Sequence, residues 1–200
     1  MYLLESLKKT FETVTGMGKP SARVVHDAVH ARKAHETMFK DDGSIPNNPK
    51  LPFIHYRSAV GLPDSGDPAA TFEELFKRNG WGDSWRNGIY DYAHYHSSTH
   101  EVLGIARGHA NVRFGGASGR IFELHASDVV ILPAGTGHQC IRASKDLLVV
   151  GAYPRTGKYD ECTGSPQERE RALKSIPKVA LPPKDPVYGA DGPLIQAWKR

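Results

Sequence analysis

Residues 88–108 read GIYDYAHYHSSTHEVLGIARG, and the reading of this stretch decides the fold. His94 and His96 stand two apart in what reads as a β-run. A strand turns alternate residues to the same face, so the two imidazoles point the same way. Glu101 follows five residues after His96. Further along, DVVILPAGTGH (128–138) ends on His138, directly after the turn-forming PAGTG. Three imidazoles and one carboxylate suit iron, manganese, zinc, nickel or copper, and suit calcium or magnesium poorly.

Outward from these residues the chain keeps one texture. From Gly88 to about Ala152 it is a series of short β-runs: IYDYAHYH (89–96), EVLGIARGHANVRF (101–114), RIFELH (120–125), DVVILP (128–133), HQCIRA (138–143) and DLLVVGAY (146–153). Turn formers such as GGASG (115–119) separate some of them, and no helical pattern intervenes. Many short strands at this spacing predict an all-β sandwich or barrel. The continuous apolar run of DVVILP predicts burial on both faces.

Upstream, FIHYRSAV (53–60) reads as a further strand. Asp67 then Pro68 is a helix start, an N-cap followed by proline at the first helical position. Phe72, Leu75 and Phe76 give that helix an apolar face, and Asn79–Gly80 ends it. DDGSIPNNPKLP (41–52) is crowded with turn formers and reads as an ordered loop or extended arm. Residues 1–34 form a weakly helical extension with Leu3, Leu4, Leu7, Phe11 and Val14 on one face, interrupted by Gly16, Gly18 and Pro20. Residues 35–200 read as a single domain, with a barrel core at about 86–152 and a wrapping tail over 153–200. That tail holds seven of the chain's 14 prolines, which rules out a regular sheet there. A short helix is expected around Pro166 to Lys174.

Composition narrows the function. Apolar residues make 39% of the 200 positions and charged residues 24%, an ordinary globular balance. No apolar run approaches the roughly 18 residues of a membrane span. Glu5, Lys8 and Lys9 interrupt any secretory apolar region. Cys140 and Cys162 do not make a disulfide framework, which fits a reducing, cytoplasmic location. Net charge is +4, with lysine and arginine scattered rather than gathered in a stripe. That pattern speaks against nucleic acid as a partner.

The spacing of the chemical residues resembles the two sequence motifs of the cupin superfamily. The first motif is glycine, five residues, HxH, three or four residues, glutamate, six residues, glycine. Here Gly88, His94, His96, Glu101 and Gly108 fill every fixed position. The second is glycine, five residues, PxG, two residues, histidine, three residues, asparagine. Pro133, Gly135 and His138 match it, while Ser127 replaces the first glycine and Arg142 the last asparagine. A shuffled chain would carry the eight matched positions roughly once in a million. SWRNGIYDYAHYHSSTHEVLG (84–104), IPNNPKLP (45–52) and DPVYGADGPL (185–194) resemble in particular the YjlB-like branch of cupins. The resemblance implies a double-stranded β-helix barrel with helical N-terminal additions and an irregular C-terminal tail. It also implies one divalent transition metal on His94, His96, Glu101 and His138, and a homodimer.

The spacing rule also admits His100 as the fourth ligand. Three arguments favour Glu101. The count of six onward to Gly108 holds only from Glu101. Strand alternation from Glu101 places Leu103 and Ile105 inward, whereas from His100 it places Gly104 and Ala106 there, too small to fill a barrel. A carboxylate also offsets metal charge, which a fourth neutral imidazole does not. By the same alternation Tyr92 and Cys140 should line the pocket with His94 and His138. His100 is a further candidate for the pocket, although a solvent-facing position suits it better. Trp81 and Trp85 read as packing residues, and His109 and His125 as ordinary strand residues. A metal with four protein ligands keeps open positions. The expected function is therefore a metal-dependent enzyme on a small organic molecule, dioxygenase-like or isomerase-like. The alternative is a barrel that binds or senses a sugar or organic acid without turnover.

Overall fold

The alternation of EVLGIAR becomes physical in the fold. In the computed structural model, which describes residues 20–199, this segment is the central strand β4 (Glu101–Arg107). Leu103 and Ile105 enter one apolar cluster, and Val102 and Ala106 enter another on the opposite face. The remaining strands are β1 (His35–Thr37), β2 (Phe53–Tyr56), β3 (Trp81–Asn87), β5 (His109–Phe114), β6 (Arg120–His125), β7 (Val129–Leu132), β8 (His138–Ala143) and β9 (Leu148–Pro154). They form a six-stranded sheet in the order β1-β2-β7-β4-β9-β3 and a three-stranded sheet in the order β6-β5-β8. All the strand pairings are antiparallel.

From β4 onward the chain passes repeatedly between the two sheets, as in a double-stranded β-helix. Between the sheets lie Phe53, Leu103, Ile105, Val112, Phe114 and Leu124, all essentially inaccessible. Each such side chain contributes about 1.5–3 kcal/mol by leaving water. β7 is buried along its whole length, because one face meets this cluster and the other meets the helices.

The helix α2 (Pro68–Arg78) covers the outer face of the large sheet; α1 is Ala22–Asp27. Asp67 caps α2 by accepting a hydrogen bond from the backbone of Ala69 at 3.1 Å. Phe72, Leu75 and Phe76 are buried as the periodicity requires. Gly104 lets Phe72 lie directly on β4, since a Cβ there would come within 2.4 Å of the Phe72 ring. Arg86 of β3 ties the helix down through Glu73 and Asp67 at 2.7–2.8 Å.

The C-terminal region is more structured than its prolines suggest. α3 (Pro166–Ser175) begins with the Ser165–Glu168 capping box and runs into a 3₁₀ turn at Ile176–Lys178. A further helix, α4 (Pro193–Trp198), corrects the expectation of an extended tail beyond it. Proline sits in its first turn, and Leu194, Ile195, Ala197 and Trp198 are buried. Asp185 fastens this region to β2 by accepting from the Tyr56 hydroxyl at 2.6 Å. β3 was also absent from the strand pattern, where polar Asp83 and Ser84 interrupt the alternation. The helical face built on Leu3, Leu4, Leu7, Phe11 and Val14 lies outside the described residues. Among the described residues no helix is long and apolar enough to cross a membrane.

Candidate metal centre

His94 and His96 do not sit in a regular strand, contrary to the reading of IYDYAHYH. His94 forms a single bridge with His138, and Tyr95 forms one with Cys162. Two different partners hold neighbouring residues, so the ladder cannot continue. The local alternation survives even so. Tyr95 packs with Ile45, Ala134, Cys162 and Ile176, while His94 and His96 turn to the opposite side, into a cavity of about 360 Å³.

The loop Asp41–Pro52 positions the third histidine. Asn47 is fully buried, and its amide nitrogen donates to the carbonyls of Lys40 and Gly115 at 2.7 and 3.1 Å. Its amide oxygen accepts from the backbone of Gly137 at 3.1 Å. Asn48 donates to the carbonyl of Ala134 at 3.0 Å. The expected arm is therefore a clamp on the PAGTG turn that presents His138.

Each of these histidines has its Nδ1 against a backbone carbonyl: His94 on Tyr92 at 3.2 Å, His138 on Thr136 at 3.3 Å, and His96 on Asp160. A carbonyl only accepts, so each Nδ1 carries a proton, and in the neutral rings of His94 and His138 Nε2 is left as a lone pair. A ligating nitrogen from each histidine lies within 4.8 Å of the others. Glu101 Oε2 stands 3.3 Å from His96 Nε2 and 3.4 Å from His138 Nε2, buried and without a hydrogen-bond partner. One ring nitrogen from each of the three histidines and a carboxylate oxygen thus face one space. The three imidazoles could hold a metal ion there.

The electrostatics agree. Burial pushes His138 down to about 3 and lowers His94 as well, which keeps both neutral. Burial also opposes charge on His96, but the Glu101 carboxylate beside it holds its pKa up at about 9. Glu101 itself falls to about 2 despite burial, through His96 and His138.

Glu101 and Leu103 line the cavity together, and His100 does not. His100 is fully buried rather than solvent-facing, because the face of β4 opposite Glu101 is covered by the C-terminal helix. Its ring lies 4.6 Å from that of Trp198, and its Nδ1 accepts from the backbone of Ala134 at 2.9 Å. Tyr92 is not turned inward either. Residues 91–92 form a bend, and Tyr92 sits 41% exposed at the rim, donating to Glu161 at 2.9 Å. Cys140 does face the core between the sheets but lies outside the cavity lining.

The chain is 42% identical over 167 residues to the uncharacterized protein YjlB of Bacillus subtilis (strain 168), covering 84% of this chain and 98% of that one. The chain belongs to the YjlB-like cupins. No family model matches it. This YjlB-like cupin also aligns with an uncharacterized conserved protein with a double-stranded β-helix domain from Klebsiella pneumoniae. There identity is 11% and the TM-score 0.34, over 70% of this chain and 94% of that one. A deletion mutant of Bacillus subtilis oxalate decarboxylase aligns at 19% identity and a TM-score of 0.36, over 68% of this chain. The YjlB-like cupin spans 37% of that decarboxylase chain.

Several cavity residues of the YjlB-like cupin escaped the sequence reading. Trp85, expected only to pack, lines the cavity, and its indole donates to the Tyr153 hydroxyl at 2.9 Å. Tyr153 in turn helps hold the Glu101 carboxylate ionised. Tyr90 and Tyr159 line the wall above His94 and His96, with ring centroids 5.2 and 5.0 Å from those imidazoles. The one signal available was Gly151, a glycine inside an apolar strand, which marks a close approach. A Cβ at Gly151 would fall 2.1 Å from the Trp85 ring.

Proposed function

We infer that this protein is a metal-dependent enzyme acting on a small organic molecule, with one divalent transition metal held by His94, His96, Glu101 and His138. The observation that carries this reading is the convergence of three imidazole nitrogens and the unpartnered Glu101 oxygen in one cavity. A metal there supplies a Lewis acid with open coordination positions, suited to dioxygenase-like or isomerase-like chemistry. The protein's own part is to orient. The backbone carbonyls of Tyr92, Asp160 and Thr136 orient the three imidazoles, and Tyr153, itself held by Trp85, favours the ionised carboxylate. Leu103 and Ile89 in the lining help exclude water from the base of the cavity.

Oxygen uptake and substrate loss are to be measured on protein reconstituted with iron(II), manganese(II), zinc, nickel or copper across a panel of small organic molecules. Turnover that disappears in His138→Ala supports the enzyme reading. A ligand bound tightly with every metal and never converted favours a binding or sensing barrel instead.

A further inference from the structure

The cavity wall has a chemical bias beyond its metal ligands. One basic side chain, Arg86, is among the lining residues. Its Nε and Nη2 are both bonded to Glu73 and its Nη1 to Asp67, at 2.7–2.8 Å. Three of its five N–H groups are thus committed, and its single charge is already matched by two carboxylates. Arg155 and Lys158 flank the lining residue Gly157 on the same loop, but both are exposed and outside the lining.

The remaining charge at the mouth is negative. Asp83 lines the cavity. Outside the lining, Glu161 sits between the hydroxyls of Tyr92 and Tyr159 at 2.9 and 2.8 Å, which holds its carboxyl below the usual range after burial is overcome. The wall itself is aromatic: Trp85, Tyr90, Tyr153 and Tyr159 line it, and Tyr90 and Tyr159 are about half exposed. Ring faces accept the C–H side of a ring or polyol, and Asn87 and Asp83 offer groups for its hydroxyls. A volume of about 360 Å³ fits a ligand the size of a monosaccharide.

We propose that the cavity takes an uncharged, hydroxyl-bearing ligand of monosaccharide size and discriminates against carboxylates and phosphates. This rests on the metal reading for the position of the ligand's innermost oxygen. A metal accepts oxygen donors of either kind, so the discrimination falls to the wall, where the one arginine is already paired with two carboxylates and Asp83 repels anions.

The test uses zinc-reconstituted full-length protein, with bound zinc measured first by elemental analysis. Neutral hexoses and pentoses, the matching sugar acids and the matching sugar phosphates are then titrated by calorimetry and ligand-observed NMR. The same panel is run on metal-free protein. The expected result is saturable binding of at least one neutral sugar, about ten-fold or more tighter than its acid or phosphate. Tyr159→Leu should weaken it about ten-fold, and Asp83→Arg should narrow the gap between sugar and acid. An acid or phosphate that binds as tightly as its neutral parent overturns the proposal. So does the failure of every neutral sugar to saturate. Loss of zinc binding alone, with the neutral preference intact on metal-free protein, contradicts the metal reading and leaves the wall's selectivity standing.

Discussion

His94 and His138 exchange both of their backbone hydrogen bonds. His94 N–H donates to the His138 carbonyl at 3.2 Å and His138 N–H to that of His94 at 2.9 Å. Their rings consequently lie 3.9 Å apart between centroids. The backbone thus joins the two halves of the site before any metal arrives. The geometry of the nitrogen donors belongs to the fold, and it sets up a contrast between Glu101, the first residue of β4, and His100 just before it.

Glu101 and His100 sit side by side in sequence and face opposite sides of the sheet. Glu101→Gln should weaken metal binding about 10–100-fold, because the amide removes a charge from the donor set. His100→Ala should keep the metal, since its ring packs on Trp198 outside the cavity. It should instead lower stability by about 2–4 kcal/mol, through a lost buried ring and an unpaired Ala134 N–H. Metal titration and denaturant unfolding on both variants separate the two effects. The opposite pattern would mean that the strand register is displaced by one residue.

Asn47 fixes the turn before His138 with both ends of its amide. Asn47→Ala leaves the buried Gly137 N–H and the Gly115 carbonyl without it. The expected cost is about 2–3 kcal/mol of stability, with metal affinity falling as the turn loosens. Unchanged unfolding and unchanged affinity would remove this loop from the account of the site.

Much of the site was legible in the sequence, because its spacing is local. HxH with Glu101, and PAGTG before His138, are set by a few covalent links and a turn. The strand face of Leu103 and Ile105 was legible by the same logic. What covers the other face was not. His100 is buried by Trp198, a residue from the far end of the chain, and no periodicity near His100 reports it. Tyr92 was misplaced because alternation was extended through residues 91–92, which bend. Trp85 enters the cavity wall through its pairing with Gly151, a long-range register between β3 and β9.

Ser127 occupies the position where the cupin motif has glycine, and its φ is +82°. A side chain in that region is strained, and glycine is not. Ser127→Gly should therefore raise stability, by up to about 1 kcal/mol after the greater freedom of the unfolded glycine is subtracted. Thermal unfolding should show a higher midpoint with metal content unchanged. A lower midpoint would mean that the serine side chain contributes more than its backbone strain costs.

Asp128 predicts how the fold responds to acid. Its carboxylate accepts from the backbones of Ser58 and His125 and from His55, at 2.8–3.1 Å. Burial raises its pKa, but the His55 bond and these backbone donors outweigh that and leave it lowered. A lowered folded pKa means that the unfolded chain binds the proton more readily. The contribution is therefore complete above the unfolded value near 3.8 and is lost as pH falls through the lower folded value. Asp128→Asn should be less stable at neutral pH, and the gap to the parent should shrink below about pH 4. A gap that stays constant over that range would contradict the assignment.

The most direct measurement of the central claim is the metal content of the full-length protein purified without a metal-binding tag, set beside His94→Ala/His96→Ala. One transition-metal ion per chain is predicted for the parent, and none above background for the double variant, provided both unfold cooperatively. A parent that takes up no transition metal even when reconstituted, or a double variant that retains it undiminished, would contradict the assignment of His94, His96, Glu101 and His138 as the metal's ligands.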